Sequence, residues 1–365
     1  MMTPRGFLAL ACSTFLLASC GGDQTGGDPA DLMSATFNGG FWIGDEPSEQ
    51  QFTEITSIAF APDGKLVVMD RGEATVTVFD PDGREVARWG NQGEGPGEFS
   101  GTRGKLAVSA TATVAVDDAG SVDLFTVGGT LIDSHPLGAL SVFDLGFDGD
   151  GNVLARTQSH EALVVNTGEQ ILRLTDQLVV WSSEPSSADR LQWFRPHLEF
   201  ASLPDGRIAV GMSDQYDLVV LDASTGRELD HISRDIPLRG PSDEFADRFL
   251  GDMPELRGRV TLAETFPVIS GVFTGPPGRA VWIRRGMGVG DSLAPPADDM
   301  DEWTFVLYDL FSGDAYEYLG TVQIPPGLEL MAGDATRVAG VHTGAMGEHS
   351  VRVMRVNFSD PLDVG

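Results

Sequence analysis

Eight side chains carry the polar chemistry that this sequence offers a partner: Arg71, Asp118, His160, Arg195, His197, Asp214, Arg285 and His349. An arginine holds a carboxylate or other polar group through charge-assisted hydrogen bonds, each worth roughly 1.5–3 kcal/mol. A histidine ligates a metal or moves a proton near neutral pH. None of the eight stands in a catalytic spacing. The chain has no HExxH, no GxSxG and no Walker pattern. Its six histidines are scattered, and each alone reads as a surface or packing residue. Only a scaffold that gathers distant loops would make one site of these residues.

Two short stretches imitate ligand loops. In "WGNQGEGPGEFSG" (residues 89–101), Gly90, Gly93, Gly95 and Gly97 crowd together. A phosphate cradle leads into a helix N-terminus and has a cation nearby. Here Glu94 and Glu98 flank the glycines and a strand pattern follows, so the run reads as a sharp connection stiffened by Pro96. "DGDGN" (residues 148–152) opens like a calcium loop but lacks the distal glutamate, and it falls where a hairpin turn is expected.

The N-terminus has a short basic n-region, an apolar stretch over residues 7–17 that is too short to span a bilayer, and then "LASC". This box resembles the lipobox of bacterial lipoproteins. The resemblance implies a signal peptide over residues 1–19, lipid on Cys20, and a membrane-anchored protein of the bacterial cell envelope. Cys12 and Cys20 are the only cysteines, so a mature chain would have no internal disulfide. Residues 20–36 read as a flexible tether. The net charge is −30, and Lys65 and Lys105 are the only lysines. Such a surface repels nucleic acid and anionic headgroups; attachment to the membrane through a lipid on Cys20 is what the lipobox resemblance implies.

Beyond the tether, short β-branched runs alternate with turn signals. "TSIAFA", Pro62-Asp63-Gly64, "KLVVMD", a polar loop, "TVTVFD", Pro81-Asp82-Gly83 and "REVARWG" make four strands. The order recurs from Phe143, Leu198 and Ile269, more weakly from Lys105, and with only three strands from Leu328. Six copies of this size predict the blades of a β-propeller. The orphan strand at residues 35–44 is expected to complete the last blade and hide its edges. The fold class expected is all-β: a six-bladed β-propeller over residues 37–359, closed by an N-terminal strand and carrying one short helical insertion.

The first unit, with "VVMD", "VTVFDPDG" and "WGNQGEGPGEF" in order, resembles an NHL-type repeat. The C-terminal part, "VWIRR…WTFVLYD…YLGTVQIPPGLEL", is similar to bacterial six-bladed β-propeller lipoproteins of the NHL-like group. The resemblance implies the six-bladed fold and no single activity. In that fold the crossing loops between blades share a face with the loops between second and third strands. Arg71, Asp118, His160, Asp214, Arg285 and His349 all fall on that face. "WFRPH" (residues 193–197), with Arg195 and His197, enters the fourth blade there beside the channel.

Two insertions interrupt the repeats. In residues 241–260, Phe245, Phe249, Met253 and Leu256 share one helical face. Residues 287–302 form an acidic loop. Two functions follow. The first is a surface-anchored binding or scaffold protein for a protein, peptide or glycan partner, with no cofactor, metal or catalytic residue assigned. The second is a metal-dependent hydrolase or lyase at the central channel, as in six-bladed propeller enzymes of similar architecture. It would need converging ligands, with His160, His197 and His349 the first to inspect. The absence of positioned catalytic groups favours binding.

Overall fold

The computed structural model describes residues 32–44, 51–159, 168–184, 191–251, 260–291, 293, 306–325 and 327–359. Six four-stranded sheets form the blades. Blade 1 is Ile55–Phe60, Leu66–Asp70, Thr75–Phe79 and Glu85–Trp89. Blade 2 is Leu106–Val108, Thr113–Asp118, Ser121–Thr126 and Leu131–Pro136. Blade 3 is Leu140–Phe147, Val153–Ser159, Gln170–Arg173 and Leu178–Ser182. Blade 4 is Leu198–Ser202, Arg207–Met212, Asp217–Asp222 and Arg227–Ser233. Blade 5 is Ile269–Gly275, Ala280–Arg285, Val306–Phe311 and Tyr318–Ile324. Blade 6 combines Leu328–Gly333, Arg337–Thr343 and His349–Phe358 with Ala35–Ile43 from the other end of the chain. The first strands of successive blades touch around the ring, including blade 6 against blade 1.

The alternation of side chains builds the cores. Leu66 and Val68 pack toward blade 6, while Val67 and Met69 pack toward blade 2. Blade 5 divides likewise, with Val281 and Ile283 toward blade 4 and Ala280 and Trp282 toward blade 6. A strand with two buried faces reads as a continuous apolar run. Each fully buried valine or leucine contributes about 1.5–3 kcal/mol. The fourth strands look outward, and Leu131–Pro136 and Arg227–Ser233 are largely exposed.

Ring closure follows the orphan strand. Ala35–Ile43 runs antiparallel to His349–Phe358, with Ala35 opposite Phe358 and Ile43 opposite Val351. A bulge between Asn38 and Phe41 takes up Gly39 and Gly40, both at positive φ. A Cβ on Gly40 would lie 1.9 Å from the Val353 carbonyl oxygen, so this crossing needs glycine.

The two imitation ligand loops are structural. The glycine run carries the chain from blade 1 to blade 2. Glu98 takes hydrogen bonds from the Gly95 N–H (2.9 Å) and Asn91 Nδ2 (3.0 Å), and Phe99 is buried against Trp89 and Phe125. In "DGDGN", Asp148 Oδ1 accepts the Asp150 and Asn152 N–H groups at 3.0 and 2.8 Å, closing the turn.

The insertion expected over 241–260 gives a helix at Asp243–Gly251. Ser242 Oγ caps its start by accepting the Phe245 N–H at 3.0 Å. Phe245 and Phe249 stack at 5.6 Å and meet Phe194, which also packs on Phe266. Leu191–Trp193 pairs in parallel with Val260–Leu262 beside them. Both crossing loops of blade 4 thus join in one accessory layer. Met253, Leu256 and most of the acidic loop at 287–302 lie outside the described residues.

Candidate functional site

Of the eight polar residues expected on the crossing-loop face, the seven described ones each have their own local surroundings. Arg71 is exposed and paired with Glu54. Asp118 accepts the Ser100 and Gly101 N–H groups at 2.8 and 2.9 Å, clamping the loop that enters blade 2. His349 Nδ1 accepts the Ile55 N–H at 3.0 Å and so latches blade 6 to blade 1. Asp214 is half-buried, and its Oδ1 has no hydrogen-bond partner among the described residues. Arg195 Nη2 reaches Gln158 Oε1 at 3.4 Å. His197 Nε2 contacts Glu199 Oε1 at 2.9 Å, and its Nδ1 contacts Ser213 Oγ at 3.2 Å. His160 and Cys20 lie outside the described residues.

Arg285 stands apart from the surface site expected of it. It is 8% exposed, and its guanidinium is spent inside the protein. Nε donates to Asp309 Oδ1 (2.7 Å), Nη2 to Thr321 Oγ1 (2.8 Å), and Nη1 to both Asp291 oxygens (3.0 and 2.8 Å). Strand position alone put it near the face; burial and these partners make it structural.

The strands converge instead on a central channel of about 970 Å³. One strand register defines its polar girdle. Ser57, Asp144, Glu199, Gly271 and Glu329 lie opposite Met69, Arg156, Gly211, Arg284 and Val341. In blade 2 the Asp117 N–H donates to the Lys105 carbonyl (3.1 Å), which puts Lys105 in the same row. Each blade therefore contributes one residue, and Arg156 and Arg284 add cations from the strands behind. All eight side-chain positions line the channel.

Most girdle charges are paired. Arg156 Nε donates to Glu169 Oε2 at 2.8 Å, and that oxygen also accepts the Leu198 N–H at 3.1 Å. Arg284 pairs with Glu329. Lys105 and Asp144 differ. Among the described residues neither forms an ion pair, and Asp144 accepts a hydrogen bond only from the Leu145 N–H, at 2.9 Å. Burial pushes the Asp144 carboxyl up to about 6; Lys105 and Arg156 draw it down, and Glu199 raises it. The row sets charges of both signs around a confined space, an arrangement suited to a polar ligand.

Sequence reading did not find this row. Its visible signal was a single acidic residue breaking the apolar first strand in "VFDLGF" and at the start of "LEFAS" and "LELMA", together with Lys105, one of two lysines. No three His, Cys, Asp or Glu side chains stand close enough to share a metal ion among the described residues.

Comparisons with known proteins meet this geometry at the level of fold. A family model described as DUF5128, 6-bladed beta-propeller, matches residues 47–103. No curated protein matches the sequence. A member of the duf4221 family from Bacteroides vulgatus aligns with a TM-score of 0.56 over 90% of this chain and 99% of its own, at 9% identity. A protein described as exported, from Bacteroides fragilis, aligns at 0.52 over 91% and 97%, with 12% identity. Virginiamycin B lyase of Staphylococcus aureus, in complex with quinupristin, aligns at 0.46 over 88% and 99%, with 10% identity. The chain is a six-bladed β-propeller, and at these identities the likeness reaches the fold and no further.

Proposed function

We propose that this protein is an exported, lipid-anchored propeller that binds a polar protein, peptide or glycan partner at the mouth of its central channel. The observation that carries the reading is the girdle: one register row places Lys105, Asp144, Glu199 and Glu329 on the wall of one cavity. Arg195 and His197 stand at the crossing-loop end, where His197 reaches the girdle through Glu199. Export is supported by the N-terminal pattern ending in "LASC" and by the likeness in fold to a protein described as exported. No helix among the described residues is long and apolar enough to cross a membrane. Anchoring then rests on Cys20, and metabolic labelling with a fatty acid should mark the protein but not Cys20→Ser. Equal labelling of both removes the anchor from the reading.

Binding is tested with saccharide and peptide panels on the whole protein and on a variant combining Lys105→Ala, Glu199→Gln and Glu329→Gln. Loss of binding with an unchanged melting curve supports the channel. Undiminished binding rejects it. A stoichiometric metal with chelator-sensitive turnover of ester, lactone or lyase substrates would replace binding with the hydrolase or lyase reading.

A further inference from the structure

The charges of the channel are unevenly placed. On the blade 2–blade 3 side, Arg103 and Arg156 lie over the same Phe143 ring, at 5.0 and 5.7 Å from its centroid. Arg156 is neutralised by Glu169. Arg103 is exposed at the crossing-loop end, and among the described residues its guanidinium hydrogen-bonds Ser141 Oγ alone, at 3.3 Å. Lys105, half-buried in the wall just beyond it, forms no ion pair among the described residues. Two cations without an ion pair among the described residues thus stand together in a protein of net charge −30. Asp144 and Asp117 lie within electrostatic reach of Lys105 without forming an ion pair with it, and a half-buried ammonium on a cavity wall gains from an arriving anion that contacts it directly.

We infer that the ligand of the channel carries a carboxylate, held by Lys105 and Arg103, and that Asp144 takes up a proton when this group enters. The inference rests on the channel being the binding site and names the chemical class of its ligand. Asp144 is the opposing group. It faces Lys105 from blade 2, Arg156 from its own blade and Glu199 from blade 4, with the Leu145 N–H on its carboxylate. Two carboxylates beside one ammonium repel unless one is protonated, and the proton comes from water. Asp144 is the one to accept it, because burial already pushes its carboxyl up to about 6. An ordinary ligand carboxylate, with a pKa of about 3.3–3.7, stays ionised across the same range.

The test uses matched probes on the whole protein: a galacturonic acid disaccharide against its neutral galactose counterpart, and a short peptide with a free against an amidated C-terminus. The saccharide and peptide arms separate the two sources of carboxylate. At least one acidic probe should bind tenfold or more tightly than its neutral match. Its affinity should rise at least threefold from pH 7.5 to 5.5. Lys105→Met should remove most of that affinity and Lys105→Arg should restore it. Asp144→Asn should keep tight binding and erase the pH dependence. Equal, pH-independent binding of acidic and neutral probes overturns the carboxylate, yet leaves the channel standing if Glu199→Gln with Glu329→Gln still weakens both. Binding unmoved by every girdle substitution overturns the channel as well. Failure of all four probes to bind rejects the inference.

Discussion

Asp309 shows what a buried charge needs here. It is fully buried and takes hydrogen bonds from Tyr216 Oη (2.5 Å), Thr321 Oγ1 (2.6 Å), Arg285 Nε (2.7 Å) and Arg234 Nη1 (2.9 Å). Burial, and then the charge of Asp309, push the Tyr216 phenol well above its usual range, so it remains a donor. Removing one partner from such a pair leaves an uncompensated charge and costs about 3–5 kcal/mol. Arg285→Ala should therefore destabilise the fold by about that much in urea unfolding, and Arg285→Lys should restore only part, because one ammonium cannot serve Asp309, Asp291 and Thr321 together. An unfolding midpoint equal to wild type would show that the network is dispensable. Asp144 gives the opposite sign. Its carboxyl is raised from 3.8 to about 6, so the native state holds this proton more tightly than the unfolded chain does. The stability tied to that proton is present at low pH and is lost as pH climbs through about 6. Asp144→Asn should raise the melting temperature at pH 7.5 and leave it unchanged at pH 3.5. A uniform shift at both pH values would deny the raised pKa.

Among the elements, the closing strand is the one on which the ring depends. Without Ala35–Ile43, the exposed edge of His349–Phe358 would present unpaired N–H and C=O groups, and Phe37 would leave the core between blades 5 and 6. Deleting residues 35–44 should lower stability by several kcal/mol, a large share of a typical total of about 5–15. It should also promote edge-to-edge association, visible by light scattering. An unchanged melting curve would count against closure. This strand was legible because it had no partner in sequence order, and so were the hairpins, because Gly64 and Gly83 mark turns that need positive φ. The girdle was not legible. Its row aligns only after one-residue bulges following Ile55, Val142 and Ile269 are counted, and a slip of one residue moves every side chain to the other face. Arg285 ends its strand, which is why it read as lying at the loop face, while Arg284, one step earlier and on the opposite side of the strand, lines the channel. The helix was legible from the spacing of Phe245 and Phe249, but its packing on Phe194 and Phe266 joins two crossing loops far apart in sequence.

At the scale of the whole molecule, the charge distribution argues for the channel. A surface of net charge −30 discourages contact with anions, while the channel wall offers Lys105, and Arg103 lies beside it over the ring of the wall residue Phe143. A negative surrounding field opposes the approach of an anion elsewhere on the surface, so a carboxylate is held where the local cations stand. The scarcity of lysine supplies the most direct test. Lys65 lies on the surface, paired with Asp63, and Lys105 lies in the channel. Reductive methylation with labelled formaldehyde keeps both charges and gives each lysine its own NMR signal. Titrating the acidic saccharide and peptide probes should shift the Lys105 signal in proportion to occupancy and leave Lys65 in place. Saturable binding with the Lys105 signal unmoved would contradict the claim that the channel is the site.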